Sequence, residues 1–141
     1  MPHQFPCNNR LKQERMPAFY KIDKERRLVM STGAGILTMA ETLAHQNKLA
    51  NDPDFDPSFS QLMDFTQVTQ IELNANDIRR LAQRSIFSPQ SRRAFIMPND
   101  AAYGLGRMYE TFRESAGEHG IGVFRSLEEA LDWILSKEER A

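Results

Sequence analysis

Gln61-Leu62-Met63-Asp64-Phe65-Thr66 is a short apolar run that follows the loop Asp54–Ser58. Its length suits a fully buried strand, and it reads as the centre of a sheet. Toward the N-terminus, Ala18–Asp23 and Arg27–Ser31 read as two short strands joined by the turn Lys24-Glu25-Arg26. Gly33 and Gly35 are expected to break the second strand, and Thr38-Met39-Ala40-Glu41 fits a capping box that opens a helix ending at Asn51-Asp52-Pro53. Met39, Ala40, Leu43, Ala44 and Ala50 give that helix its apolar stripe.

Toward the C-terminus, a second helix is predicted over Ala75–Ile86, opening near Asn74 or Asn76, with Ile78, Leu81, Ala82 and Ile86 on one face. Ser88-Pro89-Gln90-Ser91 is a turn and Arg93–Met97 a strand ended by Pro98. Asp100 is the expected cap of a third helix, whose Leu105, Met108, Tyr109, Phe112 and Ala116 follow helical spacing. Ile121–Phe124 is the last strand, and Ser126-Leu127-Glu128-Glu129 is a second capping box. It opens a helix with Leu127, Ala130, Leu131 and Ile134 facing inward.

The order β-β-α-β-α-β-α-β-α predicts an α/β fold. It is a small mixed sheet with an N-terminal antiparallel hairpin, then parallel strands joined by right-handed crossovers, and four helices. At 141 residues the chain suits one domain, assigned to residues 17–141. Residues 1–16, where Pro, Asn and Gln dominate and neither period shows, read as a flexible leader. Met16-Pro17 has the look of an alternative translation start. No apolar run is long enough to span a bilayer, the N-terminus lacks a signal-peptide core, and the single cysteine, Cys7, excludes an intramolecular disulfide. A cytoplasmic location is expected.

The net charge of −1 conceals segregation. Residues 38–77 carry seven acids against Lys48, whereas residues 78–109 carry Arg79, Arg80, Arg84, Arg92, Arg93 and Arg107 against Asp100.

The order and several short motifs resemble the STAS domain, the family of sulfate-transporter and anti-sigma-factor-antagonist modules. The chain is more similar still to the uncharacterised SpoIIAA-like branch grouped with Sec14-type lipid-binding domains. Leu62-Met63-Asp64-Phe65-Thr66-Gln67-Val68-Thr69 is similar to the family's central strand and turn, supported by Arg93-Ala94-Phe95-Ile96. The run Val123-Phe124-Arg125-Ser126-Leu127-Glu128-Glu129-Ala130-Leu131-Asp132-Trp133 is similar to the branch's ending. The resemblance spans residues 18–136 and implies a regulatory or protein-binding role. Anti-sigma antagonists carry a phosphorylatable serine at the start of the second helix. Here the corresponding stretch, Glu72-Leu73-Asn74-Ala75 or Asn74-Ala75-Asn76-Asp77, has no hydroxyl, so no phosphorylation switch is expected there.

Catalytic signatures are not expected. Gly33-Ala34-Gly35 lacks the third glycine of a dinucleotide fingerprint, and Gly104-Leu105-Gly106 reads as close helix packing or a delayed helix start. His3, His45 and His119 fall in the leader, on the polar side of a helix and in a turn, so neither a metal nor a cofactor is expected. Asp64, in an apolar strand, is either a cap for a turn over Thr66–Thr69 or a ligand or general-base carboxylate at a strand end. Asp64 and Thr66, with Asn99, Asp100, Tyr103 and Arg107, are placed on one rim of the sheet, where a partner loop or anion would bind.

Arg79, Arg80 and Arg84 form a basic patch, extended by Arg92 and Arg93. Its expected role is pairing with the acidic segment 52–77 rather than with nucleic acid, since no aromatic is interleaved. Trp133 is expected off the main stripe of its helix, either half-buried or as an interface anchor. Two functions follow: a non-catalytic interaction module working through the rim, with another protein or a second copy as partner, or a small apolar-ligand or lipid-binding domain. For the second, Met39, Met63, Met97, Met108, Phe65, Phe95 and Phe112 are the lining candidates.

Overall fold

Five strands lie side by side in chain order: β1 (Ala18–Asp23), β2 (Leu28–Thr38), β3 (Ser60–Glu72), β4 (Arg93–Ile96) and β5 (Ile121–Phe124). The computed structural model describes residues 18–136. The leader, with His3, Cys7 and Met16-Pro17, lies outside the described residues. β1 and β2 are antiparallel, and each later pair is parallel. The run Gln61–Thr66 is thus in the central strand, as its sequence predicts.

Four helices connect and close the sheet: α1 (Met39–Ala50), α2 (Ala75–Ala82), α3 (Asp100–Ser115) and α4 (Leu127–Leu135). Each starts at a side-chain cap. Thr38 Oγ1 accepts from Glu41 N, Asn74 and Asp77 form a reciprocal box, Asn99 accepts from Ala102 N, and Ser126 accepts from Glu129 N. Two boundaries differ from expectation. Asn99 rather than Asp100 caps α3, and α2 ends at Ala82, so that Ile86 packs from the following loop beside Val29, Leu49 and Phe59.

The three crossovers all step the same way across the sheet, and crossovers of one hand then put α1, α2 and α3 on one face. Ile78, Leu81 and Ala82 of α2 accordingly pack with Tyr109 of α3 and with Met39 and Leu43 of α1. α4 covers the other face. Its Ala130 and Ile134 pack on Leu28, Leu62, Ala94 and Ile96, while Leu127 points outward, 44% exposed, against expectation. Trp133 is half-buried against Phe124, with ring centroids 5.4 Å apart.

β2 and β3 continue well past the end of β4. Gly33 and Gly35 do not break β2, and the expected turn over Thr66–Thr69 is strand. The register runs Thr32↔Asp64, Ala34↔Gln67, Gly35↔Val68, Ile36↔Gln70. Each shift leaves one additional residue on β3, which is why 13 residues of β3 align with 11 of β2. Gly35 supplies the positive φ, 71°, that the irregular pairing needs. The bulges also reset the face: Met63, Phe65, Val68 and Ile71 all pack on the α1–α3 side despite spacings of two, then three, then three.

Candidate functional site

A partly enclosed cavity of about 90 Å³ lies between the sheet and the three-helix layer. Alternation along β3 and β4 supplies its floor, with Gln61, Met63, Phe65, Arg93 and Phe95 facing one way and Leu62, Asp64, Ala94 and Ile96 the other. α1 contributes Thr42, His45, Gln46 and Leu49, a helical i, i+3, i+4, i+7 stripe. α3 contributes Leu105, Gly106 and Tyr109, and the β2–β3 extension closes one end with Leu37 and Ile71. Gly106 fits because a Cβ there would stand 2.8 Å from Met97 Cε and 3.0 Å from a Val123 methyl carbon. Close approach of α3 to the sheet is therefore the reason for glycine at that position.

The walls are mainly apolar, but a chain of buried polar side chains runs across them. Arg93 Nε donates to Gln61 Oε1 at 3.3 Å, and Gln61 Nε2 donates to Ser31 Oγ at 3.1 Å. Ser31 Oγ lies 3.2 Å from His45 Nε2. The Ser31 hydroxyl, accepting from Gln61 Nε2, thus links that amide to the imidazole. His45 is 7% exposed, edge-on to the Tyr20 ring at 5.6 Å. Burial, reinforced by Lys48, pushes it down to about 4, so it is neutral at pH 7. The expected placement of His45 on a polar helix face is thus overturned, because α1 turns its Thr42/His45/Gln46/Leu49 stripe inward.

Arg93 anchors the other end. It is 5% exposed, donates from Nη1 to Tyr109 Oη at 3.0 Å, and lies over the rings of Phe87, Phe95 and Tyr109 at 4.9, 5.5 and 5.5 Å. Glu118, 1% exposed in the turn after α3, is 3.6 Å from Arg93 Nη1 and accepts from Arg113 Nε at 2.6 Å. Arg113 also donates to the Ala82 carbonyl at 2.5 Å, fastening α3 to the end of α2. Two guanidinium groups therefore share one carboxylate. Two buried oxygens have no hydrogen-bond partner among the described residues: Glu118 Oε2 and Gln46 Oε1.

This assembly was not anticipated from sequence, apart from Met63, Met97, Phe65 and Phe95 among the lining candidates. Met39, Met108 and Phe112 pack instead in the neighbouring cluster between the helices. Arg92 and Arg93 do not extend a surface patch. Adjacent residues at the start of β4 face opposite sides of the sheet, and both are buried. Arg92 donates from Nη1 to the Trp133 carbonyl at 2.6 Å and the Ser136 carbonyl at 3.0 Å, closing the end of α4. Arg79 and Arg84 do not pair with segment 52–77 either: Arg79 lies over the Phe112 ring at 5.3 Å, and Arg84 donates to Asn47 Oδ1 at 3.0 Å. Arg80 is exposed. The patch therefore does have an aromatic against it, supplied by α3.

The rim residues lie where the parallel strands end. Asp64, opposite Ile96 of β4, accepts from Thr66 N at 2.9 Å and from Thr66 Oγ1 at 2.7 Å, so its carboxylate holds the first bulge of β3. Asn99 is occupied as the α3 cap. Asp100 is ion-paired with Arg125, whose guanidinium lies over the Tyr103 ring at 4.5 Å, and Arg107 pairs with Glu110 at 3.1 Å. Asp100, Tyr103 and Arg125 are thus brought together at one point, while Asp64 and Thr66 are engaged with each other. Arg125 is the member that rim reasoning missed.

Compared with solved structures, the chain is similar to an uncharacterised protein of the DUF3478 family from Shewanella loihica PV-4 described as having a SpoIIAA-like fold. The TM-score is 0.53 at 21% identity, covering 83% of this chain and 93% of that one. At that identity the likeness is one of fold: this chain has a SpoIIAA-like fold, as the sequence resemblance implied. No family model and no curated protein matches the sequence. Among the described residues no helix is long and apolar enough to cross a membrane.

Proposed function

We propose that the protein is a non-catalytic, STAS-like binding module whose ligand is a small, largely apolar molecule held between the sheet and the α1–α3 layer. The observation that carries this reading is the cavity of about 90 Å³, walled mainly by apolar side chains. Apolar interiors are ordinarily close-packed, so a void of this size supports a guest. Met63 and Met97 give the wall the adaptability that ligand sites use. The non-catalytic side of the reading is supported by Asp64, whose carboxylate is committed to the backbone and hydroxyl of Thr66 rather than poised beside a second reactive group.

Methyl NMR of the methionines under xenon pressure tests this. Shifts of Met63 and Met97, with Met30 on the opposite face unmoved, are the expected result. Unchanged methyls at saturating xenon would refute a ligand cavity.

A protein partner at the rim is a second reading, supported by the exposed Arg125–Tyr103 stack with the outward Leu127 two residues further on. Tyr and Arg are the residue types that interface centres favour. Light scattering after size exclusion, with Leu127→Glu as the comparison, distinguishes self-association through this rim from a monomer.

A further inference from the structure

We infer that the ligand of this cavity is a short-chain monocarboxylic acid, its apolar body among the methionines and its carboxylate on Arg93 and Tyr109. The inference rests on the cavity reading above and adds the charge and polarity of the guest. Arg93 and Tyr109 both line the cavity and touch one another, Nη1 to Oη at 3.0 Å. In that bond Tyr109 Oη is the acceptor, so its own hydrogen is still to be placed, and no acceptor for it is present among the described residues. Arg93 Nη2 likewise has no hydrogen-bond acceptor among them. Two neighbouring donors on cavity-lining residues thus have hydrogens without an acceptor among the described residues.

The charge argues the same way. Glu118 is the acid within ion-pair distance of Arg93, but its shorter contact is with Arg113, 2.6 against 3.6 Å. The buried cluster therefore carries one positive charge in excess. His45 does not alter that count, being neutral, and aromatic faces stabilise the Arg93 cation without neutralising it. A buried charge calls for an opposite one, and a carboxylate meets a guanidinium and a hydroxyl with two acceptor oxygens. Size sets the remainder: a space of about 90 Å³, at roughly the volume of a water per methylene, holds a body of about three carbons.

Binding of 2-methylpropanoate and of its neutral isostere 2-methylpropanamide, each titrated into the full chain and followed by amide and Met methyl NMR, tests this. The acid is expected to bind at least tenfold more tightly than the amide, with shifts at Met63, Met97 and Arg93. Tyr109→Phe keeps the ring and removes one donor. It should weaken the acid several-fold and leave the amide within twofold. Arg93→Gln should erase the preference, and if it does not fold, Tyr109→Phe carries the test alone. Equal binding of acid and amide overturns the acid inference and leaves the cavity reading standing, as does acid binding that shifts only surface arginines. Failure of both compounds and of xenon to move the cavity methyls overturns both.

Discussion

The two faces of one sheet are built on different principles. Toward α4, Leu28, Leu62, Ala94 and Ile96 meet Ala130 and Ile134 in a dry, close-packed layer, where two alanines let a short helix approach the strands. Toward α1–α3, the alternate residues of the same strands include Ser31, Gln61 and Arg93, and the layer holds a polar chain and a cavity. One face fastens the sheet, and the other keeps space and unused hydrogen-bonding groups. The proposed binding function therefore rests on the second face, and the difference shows that a strand's two sides can be specialised separately.

The largest effect is expected at the buried carboxylate. Glu118→Ala leaves Arg93 and Arg113 facing each other without their shared anion, and urea unfolding should show a loss of about 3–5 kcal/mol. A loss under 1 kcal/mol would mean the polar face is solvated rather than sealed.

Adjacent residues of β3 sharpen the contrast next. Leu62→Ala, on the dry face, should lose about 2–5 kcal/mol, whereas Met63→Leu, one residue on and facing the cavity, should change stability by less than about 1.5 kcal/mol. Similar losses in the two variants would erase the distinction between the layers.

Acid should attack the cavity face selectively through His45. Its pKa is about 4 in the folded protein and about 6.5 when unfolded, so the unfolded chain takes up the proton first. Stability from this group is complete above pH 6.5, declines as the pH falls, and is lost by pH 4, for a total of roughly 3 kcal/mol. Subtracting the pH profile of His45→Gln from that of the native protein should isolate this slope. Parallel profiles would place His45 in water.

The smallest effects should be equal on both sides. Asn99→Ala at α3 and Ser126→Ala at α4 each remove one cap bond and should lower the urea midpoint by the equivalent of about 1 kcal/mol. Unequal losses would mean that one helix is held by its cap and the other by its packing.

Much of the architecture is local and was therefore legible in the chain. Strand order, four capped helices and the central position of Gln61–Thr66 follow from period, cap residues and connection length, each read within a few residues. The extension of β3 to Glu72 was not legible, because its two bulges change the apolar spacing from two to three and disguise a strand as a turn. Which of the rim residues meet depends on Arg125, a strand away in sequence.

The cavity and its polar chain were decided by tertiary structure alone. Ser31, His45, Gln61, Arg93, Tyr109 and Glu118 come from six separate segments, and any one of them in isolation looks like a surface residue. Local sequence determines which way a side chain points from its own strand or helix. Only the packing of three helices over the sheet determines what it then faces, and burial of that meeting place turned ordinary polar residues into a charged, partly unfilled site.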